Sequence, residues 1–135
     1  MIGTVDPAAV ARAYLRSFAT GDADTVAAHV TDDFVNEHTA ALSSSCNSKI
    51  EYRRRLPDFL AGFSGLQYEI EDLVAEGDKA MAAYTMHATY KGHEIAVRGV
   101  MRFLIRDGLV AHRVDYYDAL GFLQQIGEAD GLKPS

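Results

Sequence analysis

The chain of 135 residues has one cysteine, Cys46, so no internal disulfide can form and a reducing, cytoplasmic setting is the expectation. No uncharged apolar run approaches the ~20 residues that span a bilayer, so no membrane partner is expected. The opening MIGTVDPAAVARAYL lacks a basic stretch followed by an apolar run, and no signal peptide is expected. Positive charge is scarce: 13 Lys and Arg stand against 19 Asp and Glu, a net charge of −6. Such a chain repels the phosphate backbone, so no nucleic-acid partner is expected. The 5 histidines show no H-x-H or H-x-x-x-H spacing, so no metal is expected. No glycine-rich phosphate loop is present either, because GLQYEIEDLVAEGD lacks the spacing. Cys46 has no histidine beside it in sequence and reads as a loop thiol.

What is there is apolar: 48% of the residues, enough for a globular chain with a real core. Residues 1–135 read as one domain, without repeats or low-complexity linkers. Asp6-Pro7 opens a first helix as cap and first helical residue, Val10, Tyr14 and Phe18 recur at helical spacing, and Gly21 ends it. GDADTVAAHV reads as a short second helix and DFVNEH as a short strand, followed by the polar loop TAALSSSCNS. Ser48 and Glu51 have capping-box spacing, so a third helix starts there, with Ile50, Leu56, Phe59, Leu60 and Phe63 as its buried face and a kink or restart at Pro57. The run Arg53-Arg54-Arg55 reads as a solvated face with Glu51–Arg55 and Arg54–Asp58 pairs.

The period then changes. Turn signals at Gly77-Asp78, Lys91-Gly92 and Asp107-Gly108 divide the second half into runs 66–76, 79–90, 93–106 and 109–117, a meander of long antiparallel strands. DALGFLQQIG closes as a short helix between Asp118 and Gly127. Helices first and a sheet after them make an α+β fold, helices leaning on one face of a curved sheet to leave a cone with an open mouth. Alternation groups the side chains. Phe34, Asn36 and His38 share a face; so do Arg113, Asp115 and Tyr117, and Tyr84, Met86, Ala88 and Tyr90. His112, Val114 and Tyr116 take the opposite face.

The order of elements, with AYLRSFATGDADTVAAHVTDDF and GVMRFLIRDGLVAHRVDYYD, resembles the superfamily of nuclear transport factor 2, ketosteroid isomerase and limonene epoxide hydrolase. DALGFLQQIG resembles the ending of its SnoaL-type polyketide cyclases, and the likeness covers roughly residues 8–127. It implies a cone-shaped barrel with N-terminal helices packed on a curved, mostly antiparallel sheet. It also implies that Tyr14 matches the isomerase oxyanion tyrosine, that His38 takes the place of the isomerase base, and that Asp115 matches the epoxide hydrolases' catalytic aspartate. Arg113 replaces a pocket tryptophan, and Asn36 and His38 fall where those enzymes hold the hydrolytic water. Tyr84 and Met86 stand where they keep an arginine and a second aspartate, and Gly99 or Val100 where the isomerases keep a protonated aspartate, so neither machinery is intact.

The resulting expectation is a cofactor-independent cyclase or isomerase acting on a hydrophobic, ring-forming or polycyclic small molecule. Asp115 and His38 exchange protons in it and Tyr14 steadies an oxyanion. Asn36, Arg113, Tyr84, Met86, Phe59 and Tyr117 are expected to bind the substrate. Two alternatives stand beside it: epoxide hydrolysis or epoxide-opening cyclisation, and a non-catalytic binding or dimerisation module with a closed Arg113–Asp115 pair and a filled cone. The outer face of the sheet, carrying His87, His112, Val114 and Tyr116, is expected to receive a second copy in a homodimer.

Overall fold

The computed structural model describes residues 5–39 and 45–129; part of the loop expected after the first strand therefore lies outside the described residues. Helix α1, Pro7–Ser17, starts at Asp6, whose carboxylate accepts from the Ala8 amide at 3.0 Å. A turn of 3-10 helix, Phe18–Thr20, continues it to Gly21, and a short α2, Ala23–Ala27, follows. Strand β1 is Val30–His38 and helix α3 is Lys49–Gly62. Ser48 caps α3 by accepting from the Glu51 amide at 3.1 Å. The expected break at Pro57 does not occur: α3 runs through it as one helix. Pro57 is on the exposed side, where water can satisfy the carbonyl that lost its donor.

The buried stripe of α3 also differs from the expected one. Ile50 is 74% exposed, whereas Tyr52 and Leu56 are buried and Phe59, Leu60 and Phe63 pack against the core. These five recur at helical spacing from Tyr52, and Ile50 is out of phase with them. Arg54 reaches Glu51 and not Asp58, while Arg55 reaches Glu51 from the next position round.

The four long strands match the runs between turn signals closely: β2 Ser64–Glu76, β3 Lys79–Tyr90, β4 His93–Arg106 and β5 Leu109–Tyr117. Lys91-Gly92 (φ 48° and 80°) and Asp107-Gly108 (φ 55° and 74°) close two of the hairpins with both central residues left-handed. That twist matches the strands on either side, which is why a glycine follows in each pair. The sheet order is β1-β5-β4-β3-β2, antiparallel except for the parallel β1–β5 pair. The sheet is therefore mixed, with β1 brought to its edge by the helices that follow and precede it.

The helices fill the concave side, where Tyr14, Leu15, Phe18, Val26, Phe34, Met101 and Phe103 are almost wholly buried. Helix α4, Ala119–Gln125, covers the sheet beyond the end of β5. The Gln125 amide closes the open edge of β4 there, accepting from the Ala96 N–H at 2.7 Å and donating to the Ala96 carbonyl at 2.9 Å. On the outer face Glu37 meets His112 and Glu69 meets His87, each at 2.9 Å. No described helix is long and apolar enough to cross a membrane.

Candidate active site

Strand parity brings the expected polar groups to one place. Parallel pairing sets Asn36 against Arg113 and His38 against Asp115, all on the concave side. They form the polar floor of a cavity of about 400 Å³. Its walls are aromatic: Phe18, Phe59, Phe63, Tyr68, Tyr90 and Phe122. Toward the mouth, Phe63 stacks on Tyr90 at 4.6 Å and Phe122 leans on Tyr90 at 5.3 Å. Tyr84, Met86 and Tyr117 line it too. Both the ion pair and an unfilled cone are thus present together.

Asp115 is 5% exposed and its two oxygens are differently held. Oδ1 accepts from the Tyr84 hydroxyl at 2.6 Å. Oδ2 accepts from Arg113 Nη2 at 3.3 Å and lies 3.9 Å from His38 Nε2, an ion-pair distance outside hydrogen-bond range. Burial pushes the Tyr84 hydroxyl far above the ordinary tyrosine range, and the adjacent Asp115 charge adds to it, so Tyr84 stays a donor. Asn36 is fixed by its backbone, which exchanges two hydrogen bonds with Cys46 and pulls that residue into the core, where burial raises the thiol's pKa. Cys46 is thus a buried thiol at the end of its loop. Among the described residues, Asn36 Oδ1 and Arg113 Nε have no hydrogen-bond partner.

Arg113 is 3% exposed, its guanidinium 5.8 Å from the Tyr14 ring centre and 5.7 Å from that of Phe18. Burial works against its charge, but Tyr14, Tyr68 and Asp115 around it more than offset this and hold the proton more firmly than usual. Nη1 donates to the Tyr14 hydroxyl at 2.8 Å. Tyr14, expected to touch an oxyanion, does not line the cavity: it lies one layer behind Arg113, with its hydroxyl 2.5 Å from that of Tyr52. Three lining residues on α3 were not expected in the site, Tyr52, Arg55 and Leu56. Tyr52 carried a signal, the helical spacing from 52 to 63. Arg55 sat in a run that read as solvated, and helical rotation alone gives no account of how near the mouth it lies.

Gly99 explains how Tyr84 reaches Asp115. A Cβ there would stand 2.6 Å from the Tyr84 oxygen and 2.6 Å from the Tyr116 carbonyl oxygen. Gly99→Ala is therefore expected to move the Tyr84 hydroxyl off Asp115 and to lower stability by about 1–3 kcal/mol, the usual range for overpacking. A urea midpoint unchanged from the parent protein would show that the strands yield without strain.

A mixed five-stranded sheet curved round three helices, with an aromatic cone closed by a polar floor, is the nuclear transport factor 2-like fold that also carries the ketosteroid isomerase-like proteins. The chain belongs to the SnoaL-like domain family, whose profile matches residues 11–113. Solved structures agree on the fold. A Shewanella denitrificans protein provisionally named a SnoaL-like polyketide cyclase superposes with a TM-score of 0.80 at 16% identity, covering 90% of this chain and 96% of its own. An LEH-like epoxide hydrolase from M. tuberculosis gives 0.76 at 22% identity, with 90% and 92% covered. TsrD from Streptomyces laurentii gives 0.75 at 24% identity, with 93% and 99% covered. Among curated proteins nothing matches.

Proposed function

We propose that the chain is a cofactor-independent enzyme of the SnoaL-like cyclase or isomerase kind, moving protons on a hydrophobic, ring-forming or ring-containing small molecule. One observation carries the reading: a nearly buried carboxylate, Asp115, has one oxygen tied to Tyr84 and the other held by Arg113 with His38 3.9 Å away, on the polar floor of an aromatic cavity. A buried carboxylate is costly to keep, and a site that takes a proton from carbon needs one. In this reading Oδ2 accepts the proton from the acidic carbon and His38 exchanges it onward. The aromatic walls hold the substrate and exclude water. The structural neighbours named polyketide cyclases support the class, not the substrate.

Epoxide opening is the second reading. It is favoured by Asn36 Oδ1, a buried acceptor without a partner, beside His38 and Asp115 where an attacking water would stand.

Incubation in deuterated buffer and in ¹⁸O-water separates the two. Fused-ring ketones are expected to exchange the hydrogens next to the carbonyl at least about a hundredfold faster than in buffer, the lower end of a positioned base's effect. Label entering a diol from ring epoxides would instead favour the second reading. A panel showing neither reaction would remove both.

A further inference from the structure

Three consecutive arginines on α3 have three different surroundings. Arg53 reaches across to Asp24 at 2.7 Å, and Arg54 returns to Glu51 at 2.6 Å. Arg55 is the one on the cavity side, where it shares a face of the helix with Tyr52, Leu56, Phe59 and Phe63 at helical spacing. Its guanidinium is held from two directions. Nε donates to Glu51 Oε1 at 3.0 Å, and Nη1 donates to the Ser45 carbonyl at 3.1 Å. The Ser45 hydroxyl in turn accepts from the His38 amide at 3.2 Å. Ser45 therefore ties the guanidinium to the His38 end of the polar floor. Burial raises the pKa of the Cys46 thiol and the Arg55 charge opposes it, so that charge is felt on the inner side of the loop. The Arg55 side chain is 43% exposed, while Arg113 and Asp115 are buried. Arg55 thus stands at the rim of the cavity and the other two at its floor.

Charge is out of balance at this rim. Glu51 serves two guanidiniums, and the loop TAALSSSCNS beside them contributes no acid. One positive charge is in excess there, whereas Arg113 and Asp115 cancel on the floor. A chain of net charge −6 that gathers cations at a cavity rim is prepared for an anion at that point.

We propose that Arg55 is a specificity-determining residue of the cavity, which takes a carboxylate carried by the ring-bearing substrate at the rim beside His38. This rests on the reading of the cavity as a site for carbon-acid chemistry and names its ligand more closely: a fused-ring carboxylic acid, singly charged like the excess it meets. The planar fork of arginine suits the two oxygens of a carboxylate. Phe63 lies about 12 Å further along the helix, with Phe59 between, so a flat ring system fits from Arg55 to the Phe63–Tyr90 stack. Anchored at its charged end, the ring lies across the floor and presents one carbon to Asp115. The arginine that read as part of a solvated run is in this way the one of the three that faces the ligand.

The test compares 2-naphthoate, ionised at neutral pH, with 2-naphthamide, which has nearly the same outline and no charge. Both fluoresce, and the protein has no tryptophan to obscure either titration. The parent protein is expected to prefer the naphthoate. Arg55→Gln is expected to weaken naphthoate binding by about fivefold to thirtyfold, less than for a buried charged bond because water reaches the rim, with the naphthamide constant within about twofold. Arg53→Gln removes the same charge from the side of the helix away from the cavity, and is expected to leave both constants within about twofold. Arg55→Lys keeps the charge and loses the fork; it is expected to weaken the naphthoate alone by about twofold to fivefold, and it decides the matter if Arg55→Gln does not fold. A preference that survives the change at position 55, or that Arg53→Gln abolishes as thoroughly, would overturn the assignment. A parent protein that binds both probes equally has no subsite for an anion, and the carbon-acid reading survives; one that binds neither loses both.

Discussion

Asp115→Asn is expected to lower turnover by about 10²- to 10⁴-fold, the span that a positioned acid or base contributes. The substitution keeps the shape of the side chain and keeps an oxygen for Tyr84, whose hydroxyl donates to Oδ1 at 2.6 Å. What disappears is the charge: the basic oxygen that faces His38 and, with it, the counter-ion of Arg113. Binding of an uncharged ring ketone should change little, because the aromatic walls that hold it are untouched. The expected signature is a fall in kcat with the ketone dissociation constant near its parent value. Deuterium exchange on the ketone gives the first quantity and direct titration the second. Turnover retained by Asp115→Asn would leave this carboxylate only a structural task, as the counter-ion of Arg113.

How much of this was legible in the sequence depended on the kind of element. Turn pairs such as Lys91-Gly92 and Asp107-Gly108 fix strand ends through backbone stereochemistry, which is local, and the strand bounds follow from them. Parity is local too, so alternation alone groups Arg113, Asp115 and Tyr117 on one face. Which face turned inward came from the family resemblance. Depth was not legible. Tyr14 lies on the buried stripe of α1, but whether it touches the cavity depends on Arg113, 99 positions away, standing in front of it. Tyr52 could have been found from its spacing to Leu56, Phe59 and Phe63. Ile50, the more apolar residue, is the one member of the expected stripe that is out of phase with it, and it is exposed. Cys46 is buried because of two backbone bonds to Asn36, a contact no composition rule anticipates.

Arg113→Met is expected to be the most damaging single change to the fold, at about 3–5 kcal/mol, because it strands one member of a buried pair. Methionine fills much of the same volume between Tyr14 and Phe18, so a cavity is a small part of the loss. The larger part is Asp115, left with the Tyr84 hydroxyl and with His38 3.9 Å away, and Tyr14, left with one partner of two. For a chain of this length the melting temperature should fall by roughly 10–15 °C. The double variant Arg113→Met, Asp115→Asn then decides what the pair is for. With both charges gone there is no stranded ion, and stability should return by about 2 kcal/mol or more relative to the sum of the single changes. Turnover should not return with it. A double variant as unstable as that sum would mean that the two groups act independently. One that regained both stability and turnover would mean that the buried charges serve only each other and that the chemistry lies elsewhere in the cavity.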